Sequence, residues 1–282
     1  MLARDLLLQS SKKLEQAGCD APRLDAELLL MHAWGCSRTD IFTRSQVQVP
    51  ADIVSRYSAL LKRRQRREPL AHITGEKEFW SRRFIVGPDV LVPRPETEHL
   101  IEAMLGSFPD RNQALHFCDI GTGSGCIAIT LACEYPHAHI TATDISSAAL
   151  EIAKKNATLH KVLDRIEFIL GDMLTPLGGI QFDALVSNPP YVALAEMDEL
   201  DKELGFEPRH ALTDESDGLQ FLQCLADNAP AFLNGGGLLV VETGPCGLPV
   251  PAASLKLQQK IYDLAGHLRA AVYQRMAEID SD

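Results

Sequence analysis

A chain of 282 residues, 46% apolar and 23% charged, can bury one large core and one smaller one, so two domains are expected. It has no apolar run long enough to span a bilayer, and the charges inside its N-terminal apolar patch suit an amphipathic helix, not a signal peptide, so a cytoplasmic protein without membrane partners is expected. The net charge of −11 is uneven: residues 1–75 carry 12 Lys and Arg against 8 Asp and Glu, whereas residues 76–282 carry 15 against 30, a balance that disfavours DNA or RNA as a bulk partner.

Residues 1–75 read as a small helical domain. Apolar residues recur near helical spacing at Leu6, Leu7 and Leu14, at Leu24, Leu28 and Met31, and at Ile53, Tyr57, Leu60 and Leu61. Gly18 and Gly35 mark helix ends, and Pro50 with Asp52 marks a helix start. The cluster Lys62, Arg63, Arg64, Arg66 and Arg67 is either a docking surface or a solvated helix face. Residues 76–95 form a connector, with two aromatic and β-branched stretches that predict a β-hairpin around Gly87-Pro88-Asp89. Pro95 then starts a helix, with Glu96 and Glu98 near its positive end.

Residues 96–282 form the third segment. From about residue 114, strand and helix patterns alternate, which predicts an α/β domain with a doubly wound, mostly parallel sheet. Ligands of such sheets bind beyond the carboxyl ends of the strands, and the polar motifs fall there. Cys126 and Cys133 read as small buried hydrophobes, and neither the seven Cys nor the nine His show metal-ligand spacing, so no metal is expected.

Asp119-Ile120-Gly121-Thr122-Gly123-Ser124-Gly125 lies between a strand and a helix. Its G-x-G-x-G spacing is one residue shorter than the dinucleotide fingerprint, and an acid precedes it. That suits S-adenosylmethionine, which has no phosphate and a cationic end for Asp119 to attract; a different nucleotide-binding turn is the alternative. Asp144 ends the next strand, where a carboxylate can accept from both ribose hydroxyls, as it also does in NAD sites. Asp172 and Met173 follow the third strand; they either hold and cover the adenine or form an ordinary strand-end turn.

Asn188-Pro189-Pro190-Tyr191 ends the fourth strand. An amide or exocyclic amine is a poor nucleophile because its lone pair is delocalised, so it must be aimed. The Asn188 side-chain oxygen and the Pro189 carbonyl can each accept one of its N–H groups. Proline adds no competing donor and fixes φ, and Tyr191 offers a flat face to a planar group. Asn188, Pro189 and Tyr191 are therefore the expected catalytic residues.

The chain resembles the HemK/PrmC N5-glutamine methyltransferases over about residues 5–245. The resemblance rests on Arg67-Glu68-Pro69-Leu70, Ile73-Thr74-Gly75, Phe79-Trp80, Val92-Pro93-Arg94-Pro95-Glu96-Thr97-Glu98, the glycine turn, Asn188 to Tyr191, Glu207-Pro208 and Asp217-Gly218-Leu219. It implies a Rossmann-like class I methyltransferase domain, S-adenosylmethionine as methyl donor with S-adenosylhomocysteine as product, and class I peptide-chain release factors as protein substrates. It also implies that the helical domain recognises the factor and that the Gly-Gly-Gln glutamine reaches Asn188, Pro189, Pro190 and Tyr191. Gly121 to Gly125, Asp144, Met173 and Asn188 would contact the methyl donor. Arg94 and Glu96 would frame the pocket, or else brace the hairpin and cap a helix. After Glu242-Thr243-Gly244 the chain departs from the family: a short, Pro-rich stretch replaces the usual helix, so an altered closure of the sheet is expected. The alternative functions are a nucleic-acid amino-methyltransferase acting on adenine N6, cytosine N4 or guanine N2, and a sensor of S-adenosylmethionine without catalysis.

Overall fold

The computed structural model describes residues 1–276 and divides into two compact units. The first comprises Met1–Glu76 together with Asp201–Phe206. Its helices are α1 (Ala3–Gln16), α2 (Pro22–Trp34), α3 (Arg38–Thr43), α4 (Ala51–Gln65) and α5 (Leu70–Thr74). Leu6, Leu14, Leu29, Leu30, Ile41, Tyr57 and Leu61 form its core. Gly35 ends α2 in the left-handed conformation, where a missing Cβ avoids a steric cost.

The face that α2 buries differs from the expectation. Ala26, Leu29, Leu30 and Ala33 point inward, whereas Leu24 is 42% exposed. The run Leu28-Leu29-Leu30-Met31 is apolar all round, so its periodicity does not reveal the buried stripe. Buried charge also orients the helix: Arg64 Nε donates to Asp25 at 2.7 Å. Arg64 and Arg67 both pair with Glu203, from the Asp201–Phe206 segment. Arg63 pairs with Glu68. Three members of the basic cluster are thus used inside the unit; Lys62 and Arg66 are exposed.

The second unit comprises Lys77–Leu200 and Glu207–Asp282. It opens with the hairpin β1 (Glu76–Phe79) and β2 (Arg82–Ile85). The hairpin turns at Trp80-Ser81, both at positive φ, and not at Gly87-Pro88-Asp89. Tertiary bonds hold this Gly-free turn: Trp80 N donates to Glu98 at 2.7 Å and Trp80 Nε1 to Glu134 at 3.1 Å. The Gly87 turn instead leads the chain toward the cleft described below.

The elements that follow are α6 (Glu98–Ser107), β3 (His116–Ile120), α7 (Cys126–Glu134), β4 (His139–Asp144), α8 (Ser147–Leu159), β5 (Ile166–Leu170), β6 (Phe182–Ser187), α9 (Gln220–Asn228), β7 (Leu233–Glu242), β8 (Leu255–Tyr262) and β9 (Leu268–Arg275). The sheet order is β5-β4-β3-β6-β7-β9-β8, parallel from β5 to β7. Alternation within each strand supplies both faces. Phe117, Ala184, Val186 and Val240 face a core shared with α6 and α7. Cys118, Ile120, Leu185, Leu239 and Val241 face a core shared with Leu222 and Leu225 of α9. This is the Rossmann-like, doubly wound architecture, and its switch point lies between β3 and β6, whose next neighbours leave in opposite directions.

The departure after Gly244 has a definite outcome. No helix joins β7 to β8; residues 243–254 make the crossing as a loop. The sheet still closes, because β9 pairs antiparallel with both β7 and β8. Asp263 forms the β8–β9 turn: its carboxylate accepts from the Ala265 and His267 backbones and from Arg269. These donors hold its pKa well below the usual carboxylate range, the His267 backbone bond contributing most.

Candidate active site

A cleft of about 1030 Å³, measured to include its open mouth, lies at the carboxyl ends of β3, β4, β5 and β6. Gly121, Thr122, Gly123 and Ser124 line it from the turn after β3. Gly125 closes that turn at φ 81°, where a Cβ would meet Ile129 Cδ1 at 2.9 Å and Ala153 Cβ at 3.1 Å; its bareness lets α7 and α8 approach the turn.

Asp119 lies fully buried beneath the glycines and does not line the cleft. Its Oδ2 accepts from Thr122 Oγ1 at 2.7 Å and from the Ala128 N–H at 3.1 Å, while Oδ1 has no partner. Burial, more than the nearby Asp144, raises its pKa to about 7. Asp144 lines the cleft, and its two oxygens accept from Gly123 N and Ser146 N, each at 2.8 Å. It thus ties the glycine turn to the start of α8 while keeping a face toward the cleft. Asp172 and Met173 line the same wall, with Met173 at φ 49°, a conformation that a non-Gly residue adopts only under tertiary constraint.

Asn188 and Pro190 also line the cleft. Asn188 Nδ2 donates to Thr97 Oγ1 at 3.1 Å, so Oδ1 is the amide atom left for a ligand. Pro189 is buried behind them. Tyr191 does not line the cleft: its hydroxyl donates to Glu242 Oε1 at 2.9 Å and its ring lies on Gly244. Arg94 lines the cleft and pairs with Glu207, whose other oxygen accepts from Val92 N at 2.9 Å. Glu96 is outside the lining, 4.0 Å from Arg269.

Sequence reasoning gave no role to Val90, Leu91, Thr97, His210 and Phe221, which also line the cleft. Thr97 and Glu207 lie inside motifs that carry the resemblance and Glu242 at the point where the chain departs from it, yet their partners are 91, 113 and 51 residues away in the chain. Asp214 similarly accepts from Ser216, Gly218 and Gln220 backbones, shaping the Asp217-Gly218-Leu219 loop against the Tyr191 carbonyl.

These groups fit S-adenosylmethionine. The unpartnered Asp119 oxygen favours a cationic end nearby, Asp144 is placed for hydroxyls, and Ile145, 63% exposed beside it, offers apolar surface to a ring. Among the described residues no group of three His, Cys, Asp or Glu is arranged to hold a metal ion. Likewise, no helix among them is long and apolar enough to cross a membrane.

The doubly wound sheet, the glycine turn at its switch point and the adjoining Asn-Pro-Pro wall define a Rossmann-like class I methyltransferase. The family described as PrmC N-terminal domain matches residues 5–75, and that described as Methyltransferase small domain matches residues 97–216. The chain is 44% identical to the release factor glutamine methyltransferase of Koribacter versatilis, covering 83% of each chain. It is 43% identical to that of Neisseria gonorrhoeae, over 79% of this chain and 81% of the relative, and 44% identical to that of Nitratidesulfovibrio vulgaris, over 85% and 81%. The hMettl16 catalytic domain, solved in complex with a 3′UTR hairpin, shares the fold at a TM-score of 0.52 and 16% identity, over 70% of this chain and 76% of that one. The chain belongs to the release factor glutamine methyltransferase family.

Proposed function

We propose that the chain transfers a methyl group from S-adenosylmethionine to the side-chain amide nitrogen of the glutamine in the Gly-Gly-Gln motif of class I peptide-chain release factors, in the cytoplasm. The observation that carries this reading is that Asn188 and Pro190 share one cleft with the glycine turn and Asp144. Donor and acceptor therefore meet without a large movement of the sheet.

When bound, S-adenosylmethionine supplies a methyl carbon made electrophilic by its sulfonium. Asp144 and the glycine turn hold the adenosine, and Asp119 favours the cationic end from below. Asn188 Oδ1 and the Pro189 carbonyl accept the two N–H groups of the glutamine amide and aim its nitrogen in line with the departing sulfur. The sulfonium would supply the methyl group and its sulfur would keep the C–S electron pair, while the amide nitrogen held by Asn188 and Pro189 would release one proton to water. Charge disperses along this path, so a weakly polar cleft does not oppose it. Tyr191 acts from behind, through Glu242 and Gly244, instead of stacking on the substrate. Residues 1–75 serve recognition of the factor. The acidic balance of residues 76–282 disfavours a nucleic-acid acceptor.

Incubation with methyl-labelled S-adenosylmethionine and purified release factors, followed by mass spectrometry of the Gly-Gly-Gln peptide, tests the assignment. One added methyl on the glutamine is expected. Label confined to nucleic acid, or no label on the release factors, would overturn it.

A further inference from the structure

Thr97 stands immediately before α6, in the position where a threonine ordinarily caps a helix, yet its side chain makes no capping bond. It is 1% exposed, and its oxygen accepts from Asn188 Nδ2 at 3.1 Å. Behind it lies Glu242, also 1% exposed, whose Oε1 accepts from the Tyr191 hydroxyl at 2.9 Å. Its other oxygen, Oε2, is buried without a hydrogen-bond partner, and the nearby Thr97 hydroxyl favours the charged form of the carboxylate.

An ionised carboxylate only accepts hydrogen bonds. It therefore draws the Thr97 proton toward itself and leaves the threonine lone pairs facing Asn188. Only the NH₂ end of the Asn188 amide can meet a lone pair, so the carbonyl end is forced toward the cleft. The reverse orientation would set Oδ1 against a hydroxyl with no proton to give, and would present NH₂ donors to a substrate that itself brings N–H groups. We propose that Thr97 and Glu242 are positioning residues that set the polarity of the Asn188 amide, and so keep Oδ1 as the acceptor. This rests on the acceptor role given to Asn188 above. It also gives the threonine of the Pro-Arg-Pro-Glu-Thr-Glu string a purpose other than helix capping.

The carboxylate is the source of this polarity, so its protonation removes it. Burial raises the Glu242 pKa to about 7, opposed by Thr97 and Tyr191; Glu96 raises it further and Arg269 lowers it. The buried Cys126 thiol also senses Glu242. A protonated Glu242 can donate to Thr97, whose own proton is then free to turn to Asn188. The Asn188 amide then has no enforced direction.

Two measurements on the full chain test the proposal. The first is the side-chain amide NMR signal of Asn188, assigned by its loss in Asn188→Asp. It should show one exchange-protected proton and titrate near neutral pH in the native protein. In Glu242→Gln it should not titrate, and in Thr97→Val its protection should be lost. The second is methyl transfer with a release factor as substrate. Thr97→Val should lower kcat on the order of 100-fold while leaving the Kd for S-adenosylmethionine within about twofold, and Thr97→Ser should restore most of the turnover. The kcat of the native protein should fall as pH drops through about 7, and Glu242→Gln should lose that fall. An Asn188 signal indifferent to pH and to Thr97→Val, or unchanged kcat in Thr97→Val, would overturn it. If the native protein methylates no release factor, the substrate assignment fails on its own, and the amide signal still decides the network.

Discussion

The ring of Tyr191 rests on the bare Cα of Gly244: a Cβ built there would lie 2.8 Å from Cδ2 and 2.9 Å from Cε2. The same residue is clamped at its other end, where a Cβ on Gly218 would lie 2.4 Å from the Tyr191 carbonyl oxygen. Two glycines from separate loops thus fix the residue that ends the Asn-Pro-Pro-Tyr segment. Neither contact can relax easily, since one partner is a ring packed against the core and held at its hydroxyl, and the other is backbone.

Gly244→Ala should therefore displace Tyr191 and, through it, the Glu242 bond and the wall that carries Asn188. The expected cost in stability is about 1–3 kcal/mol, the range for overpacking. Turnover should fall by much more than the affinity for S-adenosylmethionine, because the cofactor wall is formed by other loops. Thermal melts, calorimetry and steady-state kinetics on the variant separate these effects. A variant with native kcat would show that Tyr191 tolerates the shift.

Asn188→Ala and Asp144→Ala should divide the cleft into its two halves. Removing Asn188 deletes an orienting acceptor, so kcat should fall on the order of 100-fold with the cofactor Kd nearly unchanged. Removing Asp144 should weaken cofactor binding by roughly 1–3 kcal/mol through lost charged hydrogen bonds. It also releases the Gly123 and Ser146 N–H groups, so the variant should melt lower than Asn188→Ala does. Equal cofactor affinities in the two variants would contradict the division.

What could be read from the sequence divides along physical lines. The parallel strands β3, β4, β6 and β7 are buried on both faces, and with the edge strand β5 they alternate with helices, so local pattern alone located β3 to β7 and placed Gly121, Asp144 and Asn188 at their ends. The hairpin turn escaped because Trp80-Ser81 carries no Gly, Pro, Asn or Asp and is held by Glu98 and Glu134, 18 and 54 residues away. The inward face of α2 escaped because its apolar run has no polar side to mark it. The return of Asp201–Phe206 to the N-terminal unit rests on Glu203 meeting Arg64 and Arg67, 139 and 136 residues away. Local pattern cannot carry such pairings, nor could it distinguish a docking cluster from one already satisfied within its own unit.

That satisfied cluster makes its own prediction. The side chains of Arg64 and Asp25 are 8% and 9% exposed, and Glu203 bonds to the same guanidinium at 2.9 Å. Arg64→Ala would strand Asp25 away from water, whereas Glu203 keeps its pairing with Arg67. Breaking a buried pair in this way typically costs about 3–5 kcal/mol, and the loss should appear in urea unfolding of the helical unit. Lys62→Ala, on the exposed side of the same helix, should change stability by no more than about 0.5 kcal/mol. Similar losses in the two variants would refute the structural role of the Arg64 network.

Asp119 links proton binding to cofactor binding. Its carboxyl, ordinarily near 3.8, is raised to about 7 by burial in the unliganded protein. Between those values the folded chain holds a proton that the unfolded chain has released. The resulting contribution to stability is complete below about 4 and is lost as pH rises through about 7. Glu242, also raised to about 7, adds to the same downward slope. A bound cation beside Asp119 reverses the preference and expels the proton. Affinity for S-adenosylmethionine should therefore rise between about pH 6 and 8, and calorimetry in buffers of different ionisation enthalpy should detect proton release. Asp119→Asn should abolish both the release and the pH dependence of affinity, while flattening only part of the stability slope, because Glu242 remains. A native protein that binds the cofactor with the same affinity at pH 6 and pH 8 would place the cationic end away from Asp119.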